Sequence, residues 1–122
     1  MFKKTCIVAL LGTISAFAGK IQVIDEQNFD RETKSGKVLV DFYAEWCGPC
    51  KRLGPVLEMV ADDMGSKVKI YKVNIDKSPN LADRYEVKGV PTMVLFEGGK
   101  VKGKLVGFRD KSAVKKFIES GG

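Results

Sequence analysis

The sequence predicts an α/β fold in which a central mixed β-sheet is flanked by helices on both faces. Three observations lead there. The run Val38-Leu39-Val40-Asp41-Phe42-Tyr43 is apolar at nearly every position, as in a central strand covered on two sides. Strand-like and helix-like segments alternate from Ile21 to Tyr85, giving the order βαβαβα. Gly98-Gly99 then separates two strand-like runs, a two-residue hairpin signal, and a last helix follows to complete ββα.

Taken in order, Ile21-Gln22-Val23-Ile24 reads as a short strand, with Asp25 or Asn28 capping a helix to about Lys34. Ser35-Gly36-Lys37 ends that helix before the central strand. Pro49 falls in the first turn of the next helix, where a missing N–H is tolerated. Leu53, Val56, Leu57 and Val60 keep helical spacing as far as Met64-Gly65, and Pro55 should kink that helix. Val68 to Ile75 is a second central strand. Ser78 caps a short helix that begins at Pro79 and runs through Tyr85. Thr92 to Phe96 and Lys100 to Val106 form the hairpin. Lys100, Lys102 and Lys104 share one face of the second arm, as suits an exposed edge strand in a monomer. Lys111 to Ser120 is an amphipathic helix with Val114, Phe117 and Ile118 on its apolar side.

The length of 122 residues fits one domain able to bury a core. The N-terminus differs in character from the rest. Lys3-Lys4, an apolar run from Cys6 to Ile14, and Ser15-Ala16-Phe17-Ala18 follow the order of a secretory signal, with the cut after Ala18. Residues 1–18 are therefore read as a leader and 19–122 as the mature domain. The apolar run is short for a bilayer span. Cleavage would remove Cys6 and leave Cys47 and Cys50 as the cysteines of an exported, periplasmic protein; a retained leader would place the chain in the cytoplasm.

The formal charge is +6, but bases and acids are interleaved and nothing resembles a basic recognition helix, so nucleic acid is not an expected partner. Histidine is absent. That excludes Ser-His-Asp and Cys-His pairs and any His-containing zinc site, and two thiols alone do not complete a tetrahedral zinc site. No metal is expected.

Trp46-Cys47-Gly48-Pro49-Cys50 lies between the central strand and the following helix. Two thiols three positions apart at a helix N-terminus can close a small disulfide ring, and the unpaired backbone N–H groups there favour a thiolate. The thiol nearer the N-terminus gains more from the dipole. Several neighbours admit two readings. Asp41 is either a buried carboxyl with a raised pKa or a strand-end residue facing solvent. Lys72 is either its partner or a surface lysine whose stem lies over the sheet. Trp46 suits either packing or a binding surface, and Val90-Pro91, on residue type alone, is a trans turn.

With Asp41-Phe42-Tyr43-Ala44-Glu45-Trp46-Cys47-Gly48-Pro49-Cys50-Lys51, Asn74-Ile75-Asp76 and Gly89-Val90-Pro91-Thr92 in order, the chain resembles the thioredoxin family from about Lys20 to its C-terminus. The resemblance implies the thioredoxin fold and a thiol-disulfide oxidoreductase with no cofactor beyond a redox-active Cys47–Cys50 disulfide. It implies that Cys47 is the exposed nucleophile and Cys50 the more buried resolving thiol. Asp41 becomes the proton-transfer group for Cys50, by way of water, with Lys72 its candidate partner. It further implies a cis peptide before Pro91 and a shallow substrate groove formed by Trp46, Val90, Pro91, Val106 and Gly107. Phe108 departs from the small residue common after that glycine, and Tyr43 stands where tryptophan is more usual.

Gly48 and Pro49 between the cysteines resemble the reducing members, since the oxidases and isomerases usually carry a histidine there that makes the couple more oxidising. The expected activity is therefore protein-disulfide reduction outside the cytoplasm, with protein disulfides as substrates. In an oxidising compartment the electrons must come from an upstream thiol reductant, a membrane-embedded thiol relay; in the cytoplasm, from a thioredoxin reductase. The alternatives are a disulfide oxidase or isomerase, an apocytochrome-specific reductase, and a non-catalytic module that stabilises a partner.

Overall fold

The structure, a computed structural model, describes residues 21–122. The leader read over residues 1–18, with Cys6 and the cleavage point after Ala18, lies outside the described residues. The elements are β1 (Gln22–Val23), α1 (Phe29–Thr33), β2 (Lys37–Tyr43), α2 (Gly48–Met64), β3 (Lys69–Asn74), α3 (Pro79–Arg84), β4 (Thr92–Glu97), β5 (Lys100–Val106) and α4 (Lys111–Ser120), with a 3₁₀ turn at Gly65–Lys67. They form one five-stranded sheet in the order β1-β3-β2-β4-β5. The β1–β3 and β3–β2 pairs are parallel, and β2–β4 and β4–β5 are antiparallel.

Alternation along β2 sends Leu39 to one face and Val38, Val40 and Phe42 to the other. Leu39 joins Leu53, Leu57 and Val60 of α2 and Val114, Phe117 and Ile118 of α4. Val38, Val40 and Phe42 pack with Phe29 of α1 and Leu81 of α3. Helices thus cover both faces, and β2, at the centre of the sheet, is buried throughout its interior. The second core is aromatic: Phe29, Phe42, Tyr85 and Phe96 lie with ring centroids 5.3–6.5 Å apart. Edge-to-face and tilted pairs at this spacing add to what area burial alone supplies.

Element bounds and caps depart from the sequence reading in several places. The first strand is shorter than Ile21–Ile24, and the following helix stops at Thr33, one residue before Lys34. Asn28 occupies the N-cap of α1 without a side-chain cap; its Oδ1 instead accepts from the Asp25 backbone N–H, closing the preceding turn. Ser78 occupies the N-cap of α3, again without a side-chain cap, and α3 ends at Arg84 rather than Tyr85. The second central strand is likewise trimmed from Val68–Ile75 to Lys69–Asn74.

The lysines of β5 do not share a face. Register shifts between Leu95 and Phe96, which pair with Gly103 and Val101, so Lys102 is an extra bulged residue. Lys100 therefore lies opposite Glu97, on the side of Leu95, and Lys104 lies opposite Val94, on the side of Phe96. The Lys104 Nζ donates to the Tyr85 carbonyl at 2.8 Å, tying β5 to the end of α3 rather than standing free. The hairpin itself is as expected, with both Gly98 and Gly99 at positive φ, as a primed turn requires.

Candidate functional site

The C-terminal ends of β2, β3 and β5 and the start of β4 meet at one end of the sheet, and the loops there carry the chemistry. Cys47 is the N-cap of α2. Its extended backbone (φ −95°, ψ 114°) turns the chain so that the Cys50 N–H donates to Cys47 Sγ at 3.1 Å. A sulfur here replaces the serine or aspartate oxygen usual at an N-cap. One of the helix's unpaired donors is thus aimed at the sulfur that would carry negative charge after reduction, and the α2 dipole acts in the same sense.

Cys47 and Cys50 form a disulfide with Cα atoms 5.3 Å apart. The contrast between an exposed Cys47 and a buried Cys50 is absent in this oxidised form, in which they are 4 % and 5 % exposed. Ala44 packs with the pair, and Tyr43, Ile75 and Val90 close around them. Gly48 and Pro49 are exposed in the first turn of α2. The helix continues without a break through Pro55 to Met64, although the Lys51 carbonyl has no N–H to receive from Pro55.

The Val90–Pro91 peptide is cis, as the family resemblance implies and as residue type alone does not. The Val90 carbonyl oxygen lies 3.7 Å from Cys47 Sγ. Pro91 in turn presents its carbonyl to the Gly107 N–H at 2.7 Å, tying the end of β5 to the cysteine loop. Gly107 sits at φ +97°, a conformation that side-chain-bearing residues rarely adopt. Trp46 and Val106 stand out to solvent, 68 % and 56 % exposed. The structure thus brings Trp46, Val90, Pro91, Val106 and Gly107 around the sulfur pair.

Asp41 is fully buried, which removes the solvent-facing reading. It lies on the α2 side of β2, the face of Leu39, and neither carboxylate oxygen has a hydrogen-bond partner among the described residues. Burial pushes its pKa up to about 7, and the charge of Lys72 acts in the opposite direction. Lys72 is its register partner on β3. No ion pair joins the two among the described residues; the Lys72 Nζ lies 4.5 Å from the centre of the Tyr43 ring. Lys72 and Cys50 line a common cavity of about 160 Å³ with Tyr43, Ala44, Glu45 and Lys51, so the inner sulfur and the lysine share one opening.

Two contacts lie beyond the sequence reading. The Trp46 indole N–H donates to Asp76 Oδ2 at 2.9 Å. Asp76 is itself placed by the Asn74 side chain, which accepts from its backbone N–H. Its position in Asn74-Ile75-Asp76 is its only signal in the sequence. The Arg52 guanidinium lies 5.6 Å from the Phe108 ring centre, joining the exposed start of α2 to the loop after β5. Among the described residues, no group of three or more His, Cys, Asp or Glu side chains is arranged to hold a metal.

Comparison with known proteins agrees with this geometry. The thioredoxin family model matches residues 20–120. A thioredoxin of Chlamydia trachomatis serovar D is 48% identical over 98 residues, covering 80% of this chain and 95% of that protein. A thioredoxin of Chlorobaculum thiosulfatiphilum is 44% identical over 104 residues, covering 84% and 96%. A solved mutant thioredoxin from Halobacterium salinarum NRC-1 superposes with a TM-score of 0.75 at 38% identity, over 84% of this chain and 90% of that one. A cysteine pair at a strand-to-helix turn, a cis-proline against it and a near full-length match to proteins of this kind lead to one conclusion: the chain belongs to the thioredoxin family, protein-disulfide oxidoreductases whose redox group is their own disulfide.

Proposed function

We propose that the chain reduces protein disulfides outside the cytoplasm, with Cys47 as the attacking thiol and Cys50 as the resolving one. The observation that carries this is the Cys50 N–H aimed at Cys47 Sγ at the first turn of α2. In the reduced protein, the Cys47 thiolate attacks one sulfur of a substrate disulfide. A mixed disulfide forms, and the other substrate sulfur leaves as a thiolate. Cys50 then passes its proton, by way of water, to the Asp41 carboxylate and attacks Cys47 Sγ. This closes the Cys47–Cys50 bond and releases the second substrate thiol, so two electrons pass from the protein to the substrate.

Asp41 suits this role because a pKa raised to about 7 leaves it able both to take and to return a proton near neutral pH. Lys72 is a positioning charge that keeps that value from rising further. Trp46, Val90, Pro91, Val106 and Gly107 form the groove for the substrate chain, and Gly48 and Pro49 keep the couple reducing. The leader over residues 1–18 supports export, and a membrane-embedded thiol relay is the electron donor that an oxidising compartment requires.

The test has three parts. Protein recovered from cells should begin at Gly19, and its reduced form should reduce a protein disulfide, with turnover abolished by Cys47→Ser. A retained Met1 in the cytoplasm overturns export, and full turnover by Cys47→Ser overturns the assignment of the nucleophile. The Cys47–Cys50 pair should also accumulate oxidised in cells lacking the relay; an unchanged redox state there rules the relay out.

A further inference from the structure

We infer that Phe108 and Arg52 form a charged extension of the substrate groove that selects disulfides flanked by an acidic residue. The inference rests on the thiol-disulfide reading above. Sheet order sets up the geometry. Cys47 follows β2 and Val90-Pro91 precedes β4, so the sulfur pair sits over the two inner strands of the β3-β2-β4-β5 sequence. The loop after β3 bounds one side and the loop after β5 the other.

The two sides differ in the charge that touches their exposed aromatic side chain. On the β3 side, the Asp76 carboxylate holds the Trp46 indole, so an acid lies under the exposed tryptophan. On the β5 side, Phe108 is exposed to 38 % and the Arg52 guanidinium lies against its ring. Arg109 adds a second cation at the same corner. Its Nη1 donates to the Val106 and Phe108 carbonyls at 3.0 Å each and so fixes the turn that presents Phe108. Neither Arg52 nor Arg109 forms an ion pair among the described residues, which leaves both charges available.

A guanidinium resting on an aromatic face keeps its edge N–H donors free, and those match a carboxylate in geometry. Trp46, Val106 and Phe108 are three of the six large apolar side chains exposed among the described residues. Trp46 directly precedes Cys47, Val106 pairs with Thr92 beside Pro91, and Phe108 follows Gly107, whose N–H donates to the Pro91 carbonyl. The surface therefore fits an extended cystine-bearing segment with apolar contacts near its cystine and an Asp or Glu on the side that reaches Phe108. An acid on the Trp46 side would meet Asp76 and be disfavoured.

The test compares three disulfide-looped peptides that differ only in one residue flanking the cystine, Glu, Gln or Lys, placed on each flank in turn. Bis(2-hydroxyethyl) disulfide, which carries no charge, serves as the baseline. For one of the two flanks, the reduced wild-type chain should show a kcat/KM about fivefold higher for Glu than for Lys at low salt, as an exposed charge contact of this kind supplies. Added salt should shrink the ratio. Arg52→Glu should invert it, and Phe108→Ala, which removes the seat of the guanidinium, should bring it close to one. Because the readout is a ratio between peptides, any change in thiol reactivity cancels. Equal rates for Glu and Lys on both flanks, or a ratio unmoved by Arg52→Glu, would overturn the inference while reduction of the neutral disulfide leaves the redox reading intact. Failure to reduce the neutral disulfide and every peptide would instead remove the redox reading itself.

Discussion

The Asp41 carboxyl, closed off from water with both oxygens unpaired among the described residues, is at home in the fold only while it holds its proton. Its folded-state pKa of about 7 stands above the ordinary value of 3.8. Below about pH 4 the folded and unfolded forms both hold the proton and nothing is lost. Between pH 4 and 7 the unfolded chain ionises first, so stability falls as pH rises, by on the order of 4 kcal/mol once both forms are charged. Asp41→Ala should remove this slope. In denaturant titrations the oxidised variant should be more stable than wild type by about 2–4 kcal/mol at pH 8, after allowance for the small void left behind, and should lose most of that advantage at pH 4. The same substitution should slow release of the mixed disulfide, measured by quenched-flow trapping, and leave its formation at neutral pH nearly unchanged. An equal stability difference at both pH values would refute the buried-charge account. At this scale the residues around Asp41 left it open between a buried carboxyl and a solvent-facing one; its role came from the family resemblance and its burial from the fold. The sequence could not carry the Trp46–Asp76 bond, which joins positions 30 apart through a turn that Asn74 sets up.

Helix α2 holds the sulfurs in place because one of its faces is locked to the sheet. Leu53, Leu57 and Val60 are fully buried against Leu39, Met93 and Leu95. Leu57→Ala should therefore cost about 2–5 kcal/mol of stability, read as a lower denaturant midpoint. Its thiol alkylation profile should stay that of wild type, because the N-terminal turn keeps its own cap. A shifted profile would mean that core packing, rather than the cap, sets the thiol's behaviour. Element order was readable because apolar period and turn residues agree along the chain, as with Gly98-Gly99 and the apolar Val114, Phe117 and Ile118 of α4. The lysines of β5 show where such reading ends. Period-two patterning assumes an unbroken ladder, and one bulge residue at Lys102 sends Lys100 and Lys104 to opposite faces. Asn28 and Ser78 do stand at their helix N-caps but make no side-chain cap; the Asn28 amide oxygen accepts the Asp25 N–H instead, since a capping residue type has other backbone partners to choose from.

As a whole, the molecule gathers its redox groups at one end of a sheet whose two edges are guarded differently. β1 is only two residues long, and β5 is bulged and carries three lysines. Both devices discourage pairing with another chain. Sedimentation of residues 19–122 should give a monomer at micromolar concentration, and a concentration-dependent dimer would contradict this reading of the edges. The two cores on opposite faces fix β2 between them, and β2 aims Asp41 and the cysteine loop at the same small region. That convergence depends on contacts far apart in the chain, so family likeness could point to it while local pattern could not. The measurement that bears most directly on the account is the pH dependence of Cys47 alkylation in the fully reduced chain. The Cys50 N–H and the α2 terminus should give an inflection clearly below the ~8.5 of a free cysteine, with the fast phase lost in Cys47→Ser. An inflection at or above 8.5 would contradict the account, for the sulfur at the cap would then be an ordinary thiol.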